Sequence, residues 1–260
     1  MAYLELFFTV IPIIALCSYS ILLLFICISQ KDRLIRSFML VLTAMILWTA
    51  SAVFMSIELY PGVLFWDRIM IVGMITVTFL LYYFVSIFTN TYNIYRAALW
   101  GLGTILFIVL NLLGYIVTDA SVISHTVTLW GRQFDVVKFH YSLGLMAAPL
   151  YLYALAIIIS TLLKARRSVN AKNDSPASGS IILVSNGITV VFIGTLCNLI
   201  PVLGQYPIDI LACFINSFML FIAIYKFRLV ELRFMITRGL VYSFFIAMLT
   251  VAYIFSVFFI

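Results

Sequence analysis

Eight long apolar stretches divide the chain, and they constrain its fold more than any other feature. They cover residues 6–28, 37–57, 67–88, 97–117, 141–163, 181–203, 208–225 and 240–260. A helix of about 20 residues crosses the hydrocarbon layer of a membrane. Backbone groups in that layer must be satisfied within the segment, so each stretch is predicted to be a helix. The predicted fold is an all-α integral membrane bundle of seven transmembrane helices plus an eighth.

The composition supports a membrane protein and excludes other classes. Hydrophobic residues make up 65% of the chain and charged residues 9%, which leaves too few charges for the surface of a soluble domain of 260 residues. The formal net charge of +6 does not indicate nucleic-acid binding, because the cations stand in short clusters between apolar stretches. The lipid bilayer is therefore an expected partner, and no nucleic acid is expected.

The positions of lysine and arginine predict the orientation of the chain. Twelve of the 15 basic residues fall in alternate connections, at 29–36, 89–96, 164–180 and 226–239. The other three are Arg68, Arg132 and Lys138. Connections rich in lysine and arginine stay in the cytoplasm. The chain is therefore predicted to be a multi-pass protein of the inner (cytoplasmic) membrane with its N-terminus outside.

Two long connections have different predicted structures. In the outer connection, residues 118–140, two halves rich in β-branched and aromatic residues flank Gly131–Arg132. Glycine in the first position suits a two-residue turn, so a small β-hairpin is predicted to cap the outer face. Residues 164–180 are polar, basic and rich in small residues. A connecting loop is expected there.

The eighth apolar stretch conflicts with a simple topology. When the N-terminus is outside, an even number of crossings leaves residue 260 outside as well. Two interpretations remain open. Either a further span and a soluble domain follow residue 260, or the last helix does not fully cross the membrane.

Polar side chains within the apolar stretches are candidates for a binding site, because polar groups are costly in lipid. Asn198 shares a helix face with Gly187 and Gly194, a small-residue face that would let a neighbouring helix approach closely. One interpretation is a polar pocket in the outer half of the bundle, formed by Arg68, Asn111, Asn198, Asp209 and Asn216, with Trp66, Tyr115 and Trp130 as walls. The alternative is that these residues are helix–helix contacts and interfacial aromatics.

The sequence carries no sign of catalysis or cofactor binding. It lacks the HExxH motif of metallopeptidases and the GxSxG motif of serine hydrolases. His125 and His140 lie in the outer connection without a nearby cysteine. All five lysines lie in connections or at span ends, which argues against a retinal Schiff base. We predict no catalytic residue, no metal and no cofactor.

Three stretches resemble parts of a known family. FWDRIMIVG at 65–73 resembles its aromatic-Trp-x-Arg start of the third span. NLIPVLGQYPID at 198–209 resembles its Asn-containing end of the sixth span and Pro-x-Asp start of the seventh. AIYKFRLVEL at 223–232 resembles its basic-aromatic-Arg-Leu exit. The chain thereby resembles the N-terminal seven-transmembrane sensor region of bacterial membrane histidine kinases.

The resemblance implies a sensor module of a two-component system. Residues 1–238 would form the ligand-sensing bundle and residues 239–260 an additional transmembrane helix, with a cytoplasmic kinase domain expected to follow. The ligand would be an unknown small molecule, lipid or peptide, and the sensors would pair as a homodimer. The residues predicted to transmit the signal are Lys226, Arg228, Glu231 and Arg233. A transporter or a structural subunit of a membrane complex is the alternative function.

Overall fold

The computed structural model describes residues 2–27, 32–129, 132–171, 176–200 and 203–225. This part of the chain forms seven helices and a two-stranded sheet. In chain order the helices are α1 (Ala2–Cys27), α2 (Arg33–Ser56), α3 (Val63–Phe88), α4 (Ile94–Leu112), α5 (Ala147–Ala171), α6 (Pro176–Cys197) and α7 (Ile208–Tyr225). The strands β1 (Val117–Leu129) and β2 (Arg132–Leu143) lie between α4 and α5.

Six of the described helices are long and apolar enough to cross a membrane, and α7 is a shorter apolar helix. The fold is thus mostly helical with a small sheet, in agreement with the predicted class. The predicted eighth span, 240–260, lies outside the described residues and stays a prediction. The same is true of the predicted transmission residues Lys226, Arg228, Glu231 and Arg233.

The helices form a ring with one helix outside it. Helix α1 packs on α2 and α7, α2 packs on α3, and α3 packs on α5. Helix α6 closes the ring by packing between α5 and α7, while α4 packs on the outside of α3. Polar and apolar side chains from non-consecutive helices can therefore meet inside the ring.

Capping side chains determine where two helices begin. The Asp32 carboxylate accepts a hydrogen bond from the Ile35 N–H at 2.7 Å. The Asn93 side chain accepts from the N–H groups of Tyr95 and Arg96 at 3.0 and 3.2 Å. Such caps satisfy backbone donors that have no partner within the helix. Helices α2 and α4 consequently begin a few residues before the apolar stretches that predicted them.

The predicted hairpin is present and is longer than predicted. The strands pair antiparallel from Val117 with Leu143 to Leu129 with Arg132. Arg132 is not part of the turn that was predicted at Gly131–Arg132, because it pairs with Leu129 within the sheet. The hairpin is held to the bundle by a hydrogen bond from the Phe139 N–H to the Gln205 carbonyl, at 3.1 Å.

Helix α4 ends before its predicted limit of residue 117 because Gly114 stops it. Gly114 has a φ of +86°, a conformation that glycine adopts readily. Its N–H donates to the Asn111 carbonyl at 2.9 Å, and the Tyr115 N–H donates to the Leu110 carbonyl at 3.0 Å. These are the two hydrogen bonds of a Schellman motif. The apolar residues that follow lie at the base of the hairpin, where Ile116 is 2% exposed.

The span predicted over 141–163 is wrong at both ends. Tyr141 pairs with Ala120 in the sheet, and α5 begins only at Ala147. At its other end α5 continues to Ala171. This extension consists mainly of lysine, arginine and alanine. These residues favour a helix, but the extension is not apolar enough to have been predicted as part of a span. The loop predicted over 164–180 is therefore helical wherever the structure describes it.

Helices α6 and α7 pack closely through the small-residue face that was predicted. A Cβ atom on Gly194 would lie 2.5 Å from the Ala212 Cβ and 3.2 Å from the Asp209 Cα. One on Gly187 would overlap the Asn216 Oδ1. Glycine at both positions permits the contact. A larger residue at Gly194 would meet the backbone of α7, and one at Gly187 would meet the Asn216 side chain.

Candidate functional site

Two neighbouring cavities lie inside the ring. One lies at the end that carries the hairpin, and the other extends from it along α3, α5 and α6 as far as Leu81 and Thr161. The polar cavity contains about 520 Å³ of empty space, part of which is open to the outside, and is lined by α2, α3, α5, the hairpin and the junction between α6 and α7. The apolar cavity contains about 620 Å³ of empty space, part of which is open to the outside, and is lined mainly by α3, α5 and α6. The residues that line both are Trp48, Met74, Leu150 and Tyr151.

Two buried acids define the charge of the polar cavity. Asp67 comes from α3 and is 1% exposed, and Asp209 comes from the first turn of α7 and is 4% exposed. Both line the polar cavity together with Asn198 and Tyr141. Within the described part of the chain, the lining of the two cavities contains no lysine, arginine or histidine. The charged residues of the lining are therefore both acids, and Arg68 acts on Asp67 from outside the lining.

Asp209 has a well-defined set of partners. Its carboxylate is within hydrogen-bonding reach of the side chains of Asn198 and Trp48 and of the Ile210 backbone N–H. Its place in the first turn of α7 is also favourable, because the N-terminal end of a helix dipole stabilises an anion. Asp209 thus connects α7 to the end of α6 and, through Trp48, to α2.

Asp67 differs from Asp209 because one of its oxygens has no partner. The Asp67 Oδ2 is buried and makes no hydrogen bond to any described residue. Leaving a buried polar atom unpaired is costly, and such atoms in native proteins require an explanation. Since Asp67 lines the polar cavity, a hydrogen-bond donor placed in that cavity would supply the missing partner.

Tyr141 contributes a neutral phenol to the polar cavity. Burial, with Asp67 and Asp209 close by, raises the pKa of Tyr141 well above its usual range. The phenol therefore keeps its proton at physiological pH. It can offer one O–H donor and an acceptor oxygen to a bound group.

The apolar cavity has threonines in its wall but few free donors. The lining residues Thr78, Thr161 and Thr195 each donate their hydroxyl hydrogen to a carbonyl of their own helix, at 2.9, 2.8 and 2.8 Å. A hydroxyl used in this way does not need a partner from the cavity. The remaining lining residues are aliphatic or aromatic apart from the hydroxyls of Tyr151 and Tyr153. This cavity suits an apolar group.

Arg68 and Asn111, both predicted as ligand-binding, form a junction between α3 and α4. The Asn111 Nδ2 donates to the Arg68 carbonyl at 2.7 Å, and the Arg68 Nη1 donates to the Leu112 carbonyl at 3.4 Å. A cation at the C-terminal end of a helix is favourable for the dipole and satisfies a free carbonyl. Neither residue is among the described residues that line the two cavities.

Asn216, the third of these predicted residues, joins α7 to α1. Its Nδ2 donates to the Tyr19 hydroxyl at 2.9 Å, and that hydroxyl donates to the Cys213 carbonyl at 2.6 Å. All of these groups are buried. Asn216 is also outside the described lining of both cavities.

The predicted aromatic walls do not line the cavities either, as far as the described residues extend. The Trp66 Nε1 donates to the Leu59 carbonyl at 3.0 Å, and its ring lies 4.6 Å from the Phe54 ring, centroid to centroid. Tyr115 is 54% exposed at the end of α4. Trp130 lies outside the described residues.

Asn198 and Asp209 are thus the two predicted site residues that the structure brings together in the polar cavity. The sequence prediction missed the other polar and aromatic residues of that cavity, which are Trp48, Asp67, Tyr141 and Tyr151. The charge of Asp67 at the start of a span was a usable signal. The aromatic residues gave no such signal, because tyrosine and tryptophan suit an interfacial belt or a packed core equally well.

The junction formed by Arg68 leads to a prediction about stability. Arg68→Ala should lower the free energy of unfolding by about 1–2 kcal/mol, because it removes the cap of α4 and its charge at the helix end. Thermal unfolding in detergent micelles measures the loss. Arg96→Ala is the matched control, since Arg96 is exposed near the other end of α4. Equal losses in the two variants would show that the junction contributes nothing.

Comparison with known proteins identifies a family and no individual relative. The model of the family described as the N-terminal 7TM region of histidine kinase matches residues 6–233. No curated protein matches the chain. The matched range contains all residues that line the two cavities.

Proposed function

Because the chain belongs to the family of N-terminal seven-transmembrane regions of histidine kinases, we propose that it senses a ligand through its polar cavity and transmits the signal to a cytoplasmic kinase domain. The family and the six long apolar helices make it a membrane-embedded, multi-pass sensor module of a signalling protein.

The observation that supports ligand binding is the unpaired Oδ2 of Asp67. This atom is buried, lines a cavity and faces no basic residue among the described lining. An unpaired buried polar atom destabilises the fold. The Arg68 Nε and the Asn111 Oδ1 are also buried without a partner, but these residues lie outside the cavity lining, whereas Asp67 belongs to it. A binding site keeps the atom, because the ligand completes its hydrogen bonds.

The orientation that we propose places the hairpin and the polar cavity on the outer side of the inner (cytoplasmic) membrane. Basic residues of the described chain support it. Six of them lie in the parts of α2, α4 and α5 away from the hairpin, which are Arg33, Arg36, Arg96, Lys164, Arg166 and Arg167, and three lie at the hairpin end, which are Arg68, Arg132 and Lys138. The N-terminus would then be outside and the end of α7 would reach the cytoplasm.

Transmission is proposed to pass along α7. This helix begins beside the cavity with Asp209 and ends at Tyr225, a length of about 27 Å. Close contact at Gly194 and the Tyr19–Asn216 hydrogen bond hold it against α6 and α1. A ligand that binds one position of α7 better than another would shift the whole helix. The segment with Lys226, Arg228, Glu231 and Arg233 would carry that shift toward the kinase domain. We propose in addition that the sensor pairs as a homodimer.

The experiment tests the cavity in the full-length protein, reconstituted in vesicles, with stimulus-dependent phosphorylation as the readout. Asp209→Asn should raise the stimulus concentration needed for half-maximal phosphorylation by roughly tenfold to a hundredfold, since a charge-assisted hydrogen bond is lost. Ala154→Leu, which fills part of the apolar cavity, should abolish the response while it keeps or raises thermal stability.

Asp119→Asn is the matched control for the Asp209 variant. Asp119 is an exposed acid on the hairpin, at the same end of the bundle. The Asp119→Asn variant should respond to the stimulus like the unaltered protein. A normal response in both Asp209→Asn and Ala154→Leu would refute the proposed sensor function.

A further inference from the structure

We infer that the ligand is an amphiphile with a cationic head group, bound with its head in the polar cavity and its apolar chain in the apolar cavity. This inference rests on the proposed sensor function and names the chemistry of the ligand. It follows from three properties of the described residues, which are the charge of the lining, the positions of the acceptors and the way in which the two cavities join.

The charge of the lining selects a cation. Asp67 and Asp209 both line the polar cavity and are almost completely buried. The nearest arginine in sequence, Arg68, directs its Nη1 to the Leu112 carbonyl. An anionic head would meet two like charges in a medium of low dielectric constant, whereas a cation would find opposite charges and complementary potential.

The acceptors match an ammonium group. An ammonium carries up to three N–H donors and no acceptor. The polar cavity offers it the unpaired Asp67 Oδ2 and a second carboxylate, that of Asp209. The rings of Trp48 and Tyr151 also line the cavity, and aromatic faces attract cations. Arg68 acts on Asp67 electrostatically from outside the lining, and a head group without positive charge would place no cation in the cavity itself.

The way in which the cavities join selects an apolar chain. Trp48, Met74, Leu150 and Tyr151 form the boundary and belong to both cavities. Beyond them the wall is mostly aliphatic and aromatic, and its threonine hydroxyls donate within their own helices. Burying one methylene group there should improve affinity about fourfold. A hydrophilic ligand would gain nothing from this second space.

The test measures binding of three probes that share one chain and differ in the head, which are octylammonium, 1-octanol and octanoate. The 260-residue chain is placed in phosphatidylcholine nanodiscs, and heats of binding are corrected with empty nanodiscs. Octylammonium should bind roughly tenfold to a hundredfold more tightly than octanol, and octanoate most weakly. Butylammonium, which lacks four methylenes, should bind about two hundredfold more weakly than octylammonium.

Near-isosteric variants assign the selectivity to the two acids. Asp67→Asn and Asp209→Asn should each weaken octylammonium binding roughly tenfold or more and leave octanol binding within about twofold. Asp119→Asn, an exposed acid near the same end of the bundle, should leave all three affinities unchanged. The comparison of head groups uses the unaltered chain. Its result is therefore valid even if one of the variants fails to fold.

The outcomes separate this inference from the sensor function. Equal affinity for octanol and octylammonium, or preference for octanoate, overturns the cationic head. Equal affinity for butylammonium and octylammonium, or no saturable binding of any probe, overturns the amphiphile. The sensor function fails on a different observation, which is normal signalling by full-length Asp209→Asn and Ala154→Leu.

Discussion

Replacing Gly73 with alanine is expected to destabilise the bundle by about 3 kcal/mol, at the upper end of the usual cost of overpacking. A Cβ atom at Gly73 would lie 2.9 Å from both the Cα and the N of Trp48. These are backbone atoms, so no change of rotamer can relieve the contact and α2 must move away from α3. Because the Trp48 side chain reaches Asp209, the displacement should also disturb the polar cavity.

Gly101→Ala is the matched control for this change. A Cβ at Gly101 would meet only the end of the Phe79 ring, at 3.5 Å. Alanine is also favoured over glycine within a helix by about 1 kcal/mol. Gly101→Ala should therefore be neutral or stabilising in thermal unfolding, while Gly73→Ala unfolds at a clearly lower temperature. The same midpoint temperature of unfolding for both variants would mean that α2 and α3 can separate without loss of stability.

Hydropathy predicted the number and order of the described helices because each helix contributes a long apolar stretch. For α7 even the predicted limits, 208–225, agree with the structure. The errors lie where apolar residues are buried by other means than a helix. Ile116 and Tyr141 are apolar enough to have been assigned to the predicted spans. In the structure Ile116 lies at the base of the hairpin and Tyr141 lies in β2. A hydropathy pattern reports burial, and it does not report which partner provides it.

The candidate site was only partly predictable, for a related reason. Asn198 and Asp209 could be predicted because a polar group at a helix seam needs a partner. A cation at the end of a span has two common uses, to bind a ligand or to cap a helix. Arg68 could have served either purpose, and its hydrogen bond to the Leu112 carbonyl identifies a capping role. Which of the two uses applies depends on where α4 ends, and the turn at Gly114 determines that end.

Replacing Gly194 with alanine should also cost about 3 kcal/mol and should in addition abolish ligand binding. A Cβ there would lie 2.5 Å from the Ala212 Cβ and 3.2 Å from the Asp209 Cα and the Ile208 carbonyl oxygen. The new methyl group would thus separate α6 from the first turn of α7, beside the polar cavity. Asp209 would move relative to Asn198, and α7 would lose the contact that the proposed transmission requires.

Gly187→Ala provides the comparison that distinguishes this explanation from general sensitivity of α6. At Gly187 the new Cβ would overlap the Asn216 Oδ1, which is the end of a side chain, so Asn216→Ala should relieve the clash. In a double-mutant cycle, Asn216→Ala should recover about 1–2 kcal/mol of the loss caused by Gly187→Ala. It should recover none of the loss caused by Gly194→Ala, whose contacts include the backbone of α7. Equal recovery at both positions would refute the close helix contact beside Asp209.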